Sequence, residues 1–125
     1  MDADYRKVKD KAGRQLPAFD HALFVLTSIM SIDVDGQAVC DAGLKAHSID
    51  SGLPTVFERP DLQALGFSDE HGVLKDPENT LSINERVKLV PGHCDPTCNL
   101  HDWYVGVRDG VVETLWPVTA RGKFY

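Results

Sequence analysis

The sequence predicts a mainly β fold, a small sandwich or barrel-like domain. Its β-prone runs are short and closely spaced, helical periodicity is nearly absent, and glycine and proline repeatedly interrupt the chain. A length of 125 residues suits one domain with one core. We therefore treat residues 1–125 as a single domain.

The first predicted element is a strand over residues 22–31. This run is rich in residues that favour a pleated surface and is apolar on both faces, which is typical of a buried strand. Residues 1–20, with Gly13 and Pro17, precede it as a polar loop. The shorter runs predicted to form strands in the middle of the chain are residues 37–40, 44–49, 73–74 and 86–90.

Loops separate these strands. Residues 53–66 contain Pro54 and Pro60, so we expect a loop-rich section in which only residues 61–65 form a helical turn. Asp76-Pro77-Glu78-Asn79 has the composition of a tight turn.

The clearest local signal is a hairpin near the carboxyl end. Residues 103–108 and 111–116 are both β-prone, and Asp109-Gly110 lies between them. Asp-Gly supplies the positive backbone angles of a type I′ turn. The sequence therefore predicts two antiparallel strands joined by this dipeptide.

Composition excludes several function classes. The net charge of −6, from 19 acidic and 13 basic residues, argues against nucleic-acid binding, which needs a coherent positive surface. The longest apolar run, residues 22–30, falls short of the ~20 residues of a membrane span, and no secretory signal is visible. Three cysteines are an odd number and too few for a disulfide scaffold. We expect a soluble, cytoplasmic protein.

The densest group of reactive side chains lies between residues 91 and 103. It holds His93, Cys94, Asp95, Cys98 and His101. On an extended segment, His93 and Asp95 project to one face, where an imidazole nitrogen and a carboxylate oxygen can bind one divalent cation, while Cys94 points the other way. Such ligands suit zinc or manganese, and only two of them leave positions open for water or substrate.

Two alternatives remain for this segment. His93 and Asp95 can simply cap the following strand in a polar loop. Cys94 and Cys98 can instead form a soft zinc site with His93 and His101, although this is not the usual Cys-x-x-Cys spacing.

A second group, Ser68-Asp69-Glu70-His71-Gly72, places two carboxylates beside an imidazole. Glu70 and His71 are candidates for the rim of an active site, with a solvated turn as the alternative. Lys45 can meet a phosphate or carboxylate but is more typical of a surface lysine. We expect His21 and His47 to be ordinary structural or surface histidines.

Five motifs together resemble the carboxy-terminal domain of D-threonine aldolases and of the wider D-serine dehydratase-like group. They are Met1-Asp2-Ala3-Asp4-Tyr5, Asp41-Ala42-Gly43-Leu44-Lys45 with Asp50-Ser51-Gly52, Ser68-Asp69-Glu70-His71-Gly72, Val90-Pro91-Gly92-His93-Cys94-Asp95-Pro96-Thr97 through Val105, and Leu115-Trp116-Pro117-Val118 with Ala120-Arg121-Gly122.

The resemblance implies a lyase related to alanine racemase, with fold type III. An amino-terminal barrel would carry pyridoxal phosphate and its Schiff-base lysine, and His93 and Asp95 would hold manganese or zinc. The ion would bind the 3-hydroxyl of a D-threonine-like substrate, which is cleaved to glycine and an aldehyde. The resemblance also implies a homodimer. Related dehydratases use a His-x-Cys pair, so Asp95 favours the aldolase branch.

The chain departs from the family at two points. Cys98 stands where a small aliphatic residue is expected. The barrel domain and its cofactor lysine are missing, so we expect the chain alone to be inactive, whether it is a fragment, a truncated product or half of a split enzyme. A non-catalytic metal-binding β module and a structural domain with an empty loop are the rival hypotheses.

Overall fold

The structure, a computed structural model, describes residues 8–14 and 20–123. The motif Met1-Asp2-Ala3-Asp4-Tyr5 lies outside them, and so does Pro17. A domain spanning residues 1–125 therefore stays a prediction. Within the described residues, no helix has the length and hydropathy to cross a membrane.

The architecture is mainly β, as predicted. The elements are β1 (Val25–Ser31), β2 (Gln37–Cys40), β3 (Thr55–Val56), β4 (Gln63–Phe67), β5 (Gly72–Lys75), β6 (Arg86–Val90), α1 (Cys94–Cys98), β7 (Trp103–Arg108) and β8 (Val111–Pro117). The first six strands form one antiparallel sheet in the order β3-β6-β1-β2-β5-β4. Its end strands, β3 and β4, lie against each other, so the sheet is nearly closed into a barrel.

Alternation along the strands fills the core of this sheet. Inward residues such as Ile29, Leu74 and Leu89 are fully buried, because successive side chains of a strand point to opposite faces. On β1, however, Leu26 and Met30 are 60% and 50% exposed. The expectation that both faces of this strand are buried is therefore wrong for the described residues.

The strand predictions at residues 37–40 and 86–90 are confirmed, and residues 73–74 lie within β5. Two others are wrong. Residues 44–49 do not form a strand: residues 44–46 form a turn, with the Ala46 and His47 amides donating to the Gly43 carbonyl, because this segment packs against the 68–71 loop. Residues 61–65 do not form a helical turn, since Gln63 begins β4 and pairs with β5.

Both predicted turns are confirmed. The Asn79 amide donates to the Asp76 carbonyl at 3.0 Å, and the buried Asp76 carboxylate accepts from Thr80 and Leu81. Asp109 and Gly110 have φ of 49° and 78°, and they join β7 to β8.

His47 is a histidine inside the core. It is fully buried and meets Phe67 edge to face, with ring centroids 4.4 Å apart. Among the described residues, neither ring nitrogen has a hydrogen-bond partner. Burial lowers the pKa of His47 below its ordinary 6.5, an effect that the backbone of Ser48 partly opposes.

This lowered pKa predicts a loss of stability on mild acidification. As the pH falls below 6.5, the unfolded chain binds a proton at His47 that the folded chain does not yet bind. The free energy of unfolding therefore decreases as the pH is lowered, until the pH reaches the folded-state pKa. The limiting slope for one group is about 1.4 kcal/mol per pH unit. Urea unfolding at a series of pH values between neutral and mildly acidic measures it.

The comparison is between His47→Phe, which removes the group, and His71→Gln, which removes an exposed histidine. We expect the first variant to lose the slope and the second to keep it. Parallel curves for His47→Phe and the unaltered chain would contradict this account.

Candidate functional site

The segment that carries His93 and Asp95 is not extended, contrary to the sequence expectation. Only the backbone of His93 itself is extended, with φ of −144°. His93 is the N-cap of the five-residue helix α1, and Asp95 lies in the first turn of that helix. Pro96 is tolerated there because the first amides of a helix have no intrahelical partner. A carboxylate is also favoured near a helix N-terminus.

The helical start changes the placement of Cys94 as well. Its thiol donates to Asp95 Oδ1 at 3.4 Å, so it does not point away from that carboxylate. Cys98, one turn later, hydrogen-bonds Tyr104 and raises the pKa of the Tyr104 phenol.

Two glycine-containing loops cross beside His93. A Cβ on Gly92 would overlap the carbonyl oxygen of Gly52, so the backbones approach as closely as they do only because residue 92 has no side chain. This crossing brings Asp50, which precedes Gly52, next to His93, which follows Gly92.

Asp50 holds the imidazole of His93. His93 Nδ1 and Asp50 Oδ2 are 2.8 Å apart, and the Ser48 hydroxyl donates to Asp50 Oδ1 at 2.6 Å. Hydrogen bonds from Ser48 and His93 hold the pKa of Asp50 below its usual range. The carboxylate is therefore an ionised acceptor at neutral pH.

Thr97 and His101 attach α1 to the loop that carries Asp50. The Thr97 hydroxyl donates to the His93 carbonyl at 2.7 Å and accepts from the Ser48 amide at 3.1 Å. His101 Nε2 donates to the Ala46 carbonyl at 2.7 Å. Two hydrogen bonds thus hold the α1 segment against residues 46–48.

The four-ligand alternative with Cys94, Cys98, His93 and His101 is not formed. Among residues 8–14 and 20–123, no three or more histidine, cysteine or acidic side chains are placed to hold a metal ion. His101 Nε2 also donates to a carbonyl. A site on His93 and Asp95 alone stays a prediction, and its donor types fit a divalent cation of the zinc or manganese kind.

Glu70 and His71 lie on a different part of the surface. Gly43 allows this second crossing, because a Cβ there would overlap the backbone of Glu70 and His71. Glu70 pairs with Lys45 at 2.6 Å, and that ion pair lowers the pKa of Glu70. The surface lysine predicted at position 45 is thus an exposed ion-pair partner.

Two shallow depressions adjoin at Leu44. One, of 690 Å³, is lined by Lys45, Glu70 and His71. The other, of 420 Å³, is lined by His47, Asp50 and Pro96. Glu70 and His71 on one side, and the His93 segment on the other, therefore flank neighbouring depressions rather than one pocket.

Sequence reasoning missed the contacts of Asp50 and Thr97 with His93. Asp50 belongs to the motif Asp50-Ser51-Gly52, which contributed only to the family resemblance, and nothing in the spacing from residue 50 to residue 93 indicates a contact. The available signal was the pair of glycines, Gly52 and Gly92, each next to a candidate polar residue.

The comparisons with known proteins bear on this geometry. A family model described as "Putative serine dehydratase domain" matches residues 22–107, more than half of the chain. The chain belongs to this family.

Relatives of this serine dehydratase family domain include lyases. The chain is 57% identical to 3-hydroxy-D-aspartate aldolase of Paracoccus denitrificans, over 100% of this chain and 33% of that protein. It is 43% identical to D-threonine aldolase of an Arthrobacter species, over 84% of this chain and 28% of that protein. The chain thus spans about a third of the length of these curated relatives.

A solved structure has the same fold. The crystal structure of D-threonine aldolase from Filomicrobium marinum matches with a TM-score of 0.89 and 45% identity, over 100% of this chain and 34% of that one. The predicted resemblance and the mainly β, barrel-like fold class are confirmed.

The crossing at Gly92 gives a direct test of the site's architecture. Gly92→Ala must push the 91–93 segment away from Gly52, which we expect to lower the free energy of unfolding by about 1–3 kcal/mol. Urea unfolding measures the loss. Gly66→Ala is the matched control, because a Cβ at Gly66 meets nothing within 4 Å. Equal free energies of unfolding for the two variants would contradict the close approach of Gly92 to Gly52.

Proposed function

We propose that this chain is the metal-bearing domain of a pyridoxal-phosphate-dependent lyase that cleaves D-3-hydroxy amino acids to glycine and an aldehyde. The observation that carries the proposal is His93, held by Asp50 at the start of α1 within a motif that resembles the metal segment of D-threonine aldolases. The 57% and 43% identities to two aldolases support the same reaction class.

The residues present fit a divalent ion. Ligating histidines commonly donate their second ring N–H to a carboxylate, which is the arrangement of His93 and Asp50. Asp95 is exposed at the helix start and supplies an oxygen ligand. Two protein ligands would leave the remaining positions of the ion for water or substrate.

When bound, the metal supplies Lewis-acid polarisation of the substrate 3-hydroxyl, and pyridoxal phosphate supplies an electron sink. This chain's own residues orient that chemistry. His93 and Asp95 hold the ion, Asp50 fixes the imidazole, and Glu70 and His71 form a polar rim beside Lys45.

The cofactor belongs to a partner. We propose that a barrel domain, corresponding to the rest of the longer relatives, binds pyridoxal phosphate, that the full enzyme is a cytoplasmic homodimer, and that this chain alone is inactive. Exposed apolar side chains on the β7–β8 hairpin, including Trp103 and Trp116, both 56% exposed, support a partner surface. None of the three cysteines forms a disulfide.

Asp95 supports cleavage over dehydration. Among the proteins that this chain resembles, the dehydratases carry cysteine at this position, whereas this chain carries a carboxylate there. A serine dehydratase activity is the second candidate, and the family description favours it.

Metal binding is the first testable part of the proposal. Calorimetric titration of the metal-free chain with Mn²⁺ or Zn²⁺ should give one site per chain, and His93→Ala with Asp95→Ala should abolish it because both protein ligands are gone. The double variant Asp20→Ala, His21→Ala removes the same residue types from the segment before β1 and should bind normally. Undiminished metal binding by the His93→Ala, Asp95→Ala variant would contradict the assignment of these two residues as ligands.

The reaction is tested in a chimera. This chain replaces the matching third of the Paracoccus denitrificans aldolase, and the purified chimera is assayed for aldehyde release from D-3-hydroxy amino acids. We expect cleavage, and a loss in kcat/KM of roughly 100-fold or more for His93→Ala, since several kcal/mol of charge stabilisation are removed. Ammonia and a 2-oxo acid as the main products would instead identify the dehydratase activity.

A further inference from the structure

Asp50 lies beside the proposed metal ligand without belonging to the proposed ligand set. We infer that Asp50 is a positioning residue that fixes the tautomer and the ring orientation of His93, so that Nε2 binds the cation. This inference rests on the proposed metal site and adds to it the residue that prepares it.

The tautomer follows from the contact. An ionised carboxylate is only an acceptor, and Asp50 Oδ2 lies 2.8 Å from His93 Nδ1. The proton of a neutral His93 ring therefore resides on Nδ1. Nε2 then carries the lone pair that a metal ion needs.

The position of the Asp50 carboxylate is itself constrained. The Ser48 hydroxyl donates to Oδ1, and the Asp50 amide contacts that hydroxyl at 3.3 Å, so Oδ2 is the oxygen turned to His93. On the other side, Thr97 holds the His93 carbonyl. Both ends of the contact are fixed before any ligand arrives.

The chain contains an internal comparison for this arrangement. Ser31-Ile32-Asp33 repeats the tripeptide Ser48-Ile49-Asp50. The Ser31 hydroxyl donates to Asp33 Oδ2 at 2.9 Å, and the Asp33 amide contacts that hydroxyl at 3.4 Å. The same two serine–aspartate hydrogen bonds form in both tripeptides, so the contact with His93 is what distinguishes Asp50.

The experiment measures metal affinity and imidazole tautomer in the 125-residue chain. The variants are Asp50→Ala, Asp50→Asn and, as matched control, Asp33→Asn. Mn²⁺ and Zn²⁺ are titrated separately by calorimetry above about pH 7, where an ordinary imidazole is mainly neutral. Nitrogen-15 NMR of the metal-free chain reports which ring nitrogen of His93 carries the proton, and circular dichroism confirms that each variant folds.

We expect Asp50→Ala to weaken metal binding about 10- to 100-fold at unchanged stoichiometry and to shift the His93 proton from Nδ1 towards Nε2. Asp50→Asn keeps an acceptor oxygen without the charge, so a smaller loss is expected, and this variant decides the matter if Asp50→Ala does not fold. Asp33→Asn should match the unaltered chain.

Two results would overturn the inference while leaving the metal site intact: affinities within twofold of the unaltered chain for both Asp50 variants, or a metal-free His93 protonated mainly on Nε2. Absence of binding by the unaltered chain would instead remove the proposed site. Failure of the positioning role is thereby distinguished from failure of the proposed function.

Discussion

The architecture of the candidate site depends on a close approach of two backbones at Gly52 and Gly92. No side chain fits at residue 92, because a Cβ would overlap the Gly52 carbonyl. This contact joins residues 40 positions apart in the chain and places Asp50 against His93. Without it, α1 would begin with an imidazole held by its own segment alone, and the hydrogen bonds of Thr97 and His101 to the facing loop would have no fixed partner.

The same device is used a second time, at Gly43 against the 68–71 loop. Each crossing pairs two segments that the sequence analysis treated as separate motifs: the Asp41 segment with the Glu70 segment, and the Asp50 segment with the His93 segment. The four segments therefore form two pairs of contacting loops. Packing as well as chemistry explains why they occur together, since a glycine in one segment allows the facing segment and its polar residues to approach.

The sheet was largely predictable because its signals are local. Alternating apolar side chains mark β2 and β6, and Asp109-Gly110 by itself specifies the turn between β7 and β8. Local signals failed where long-range contacts decide the conformation: residues 44–49 alternate like a strand but turn against the 68–71 loop, and the His93 segment begins a helix. The contact of Asp50 with His93 had no local signal, because two crossing loops create it.

The distribution of apolar side chains supports the proposed partner domain. The nearly closed sheet buries its own core, yet Leu26 and Met30 on β1 face outward, and the β7–β8 hairpin packs against none of the other strands in the described residues. A two-stranded hairpin is marginal by itself in water. Its exposed tryptophans and valines require burial elsewhere to contribute stabilisation. The hairpin begins five residues after α1 ends, so the exposed apolar surface and the proposed metal site are carried by neighbouring segments of the chain.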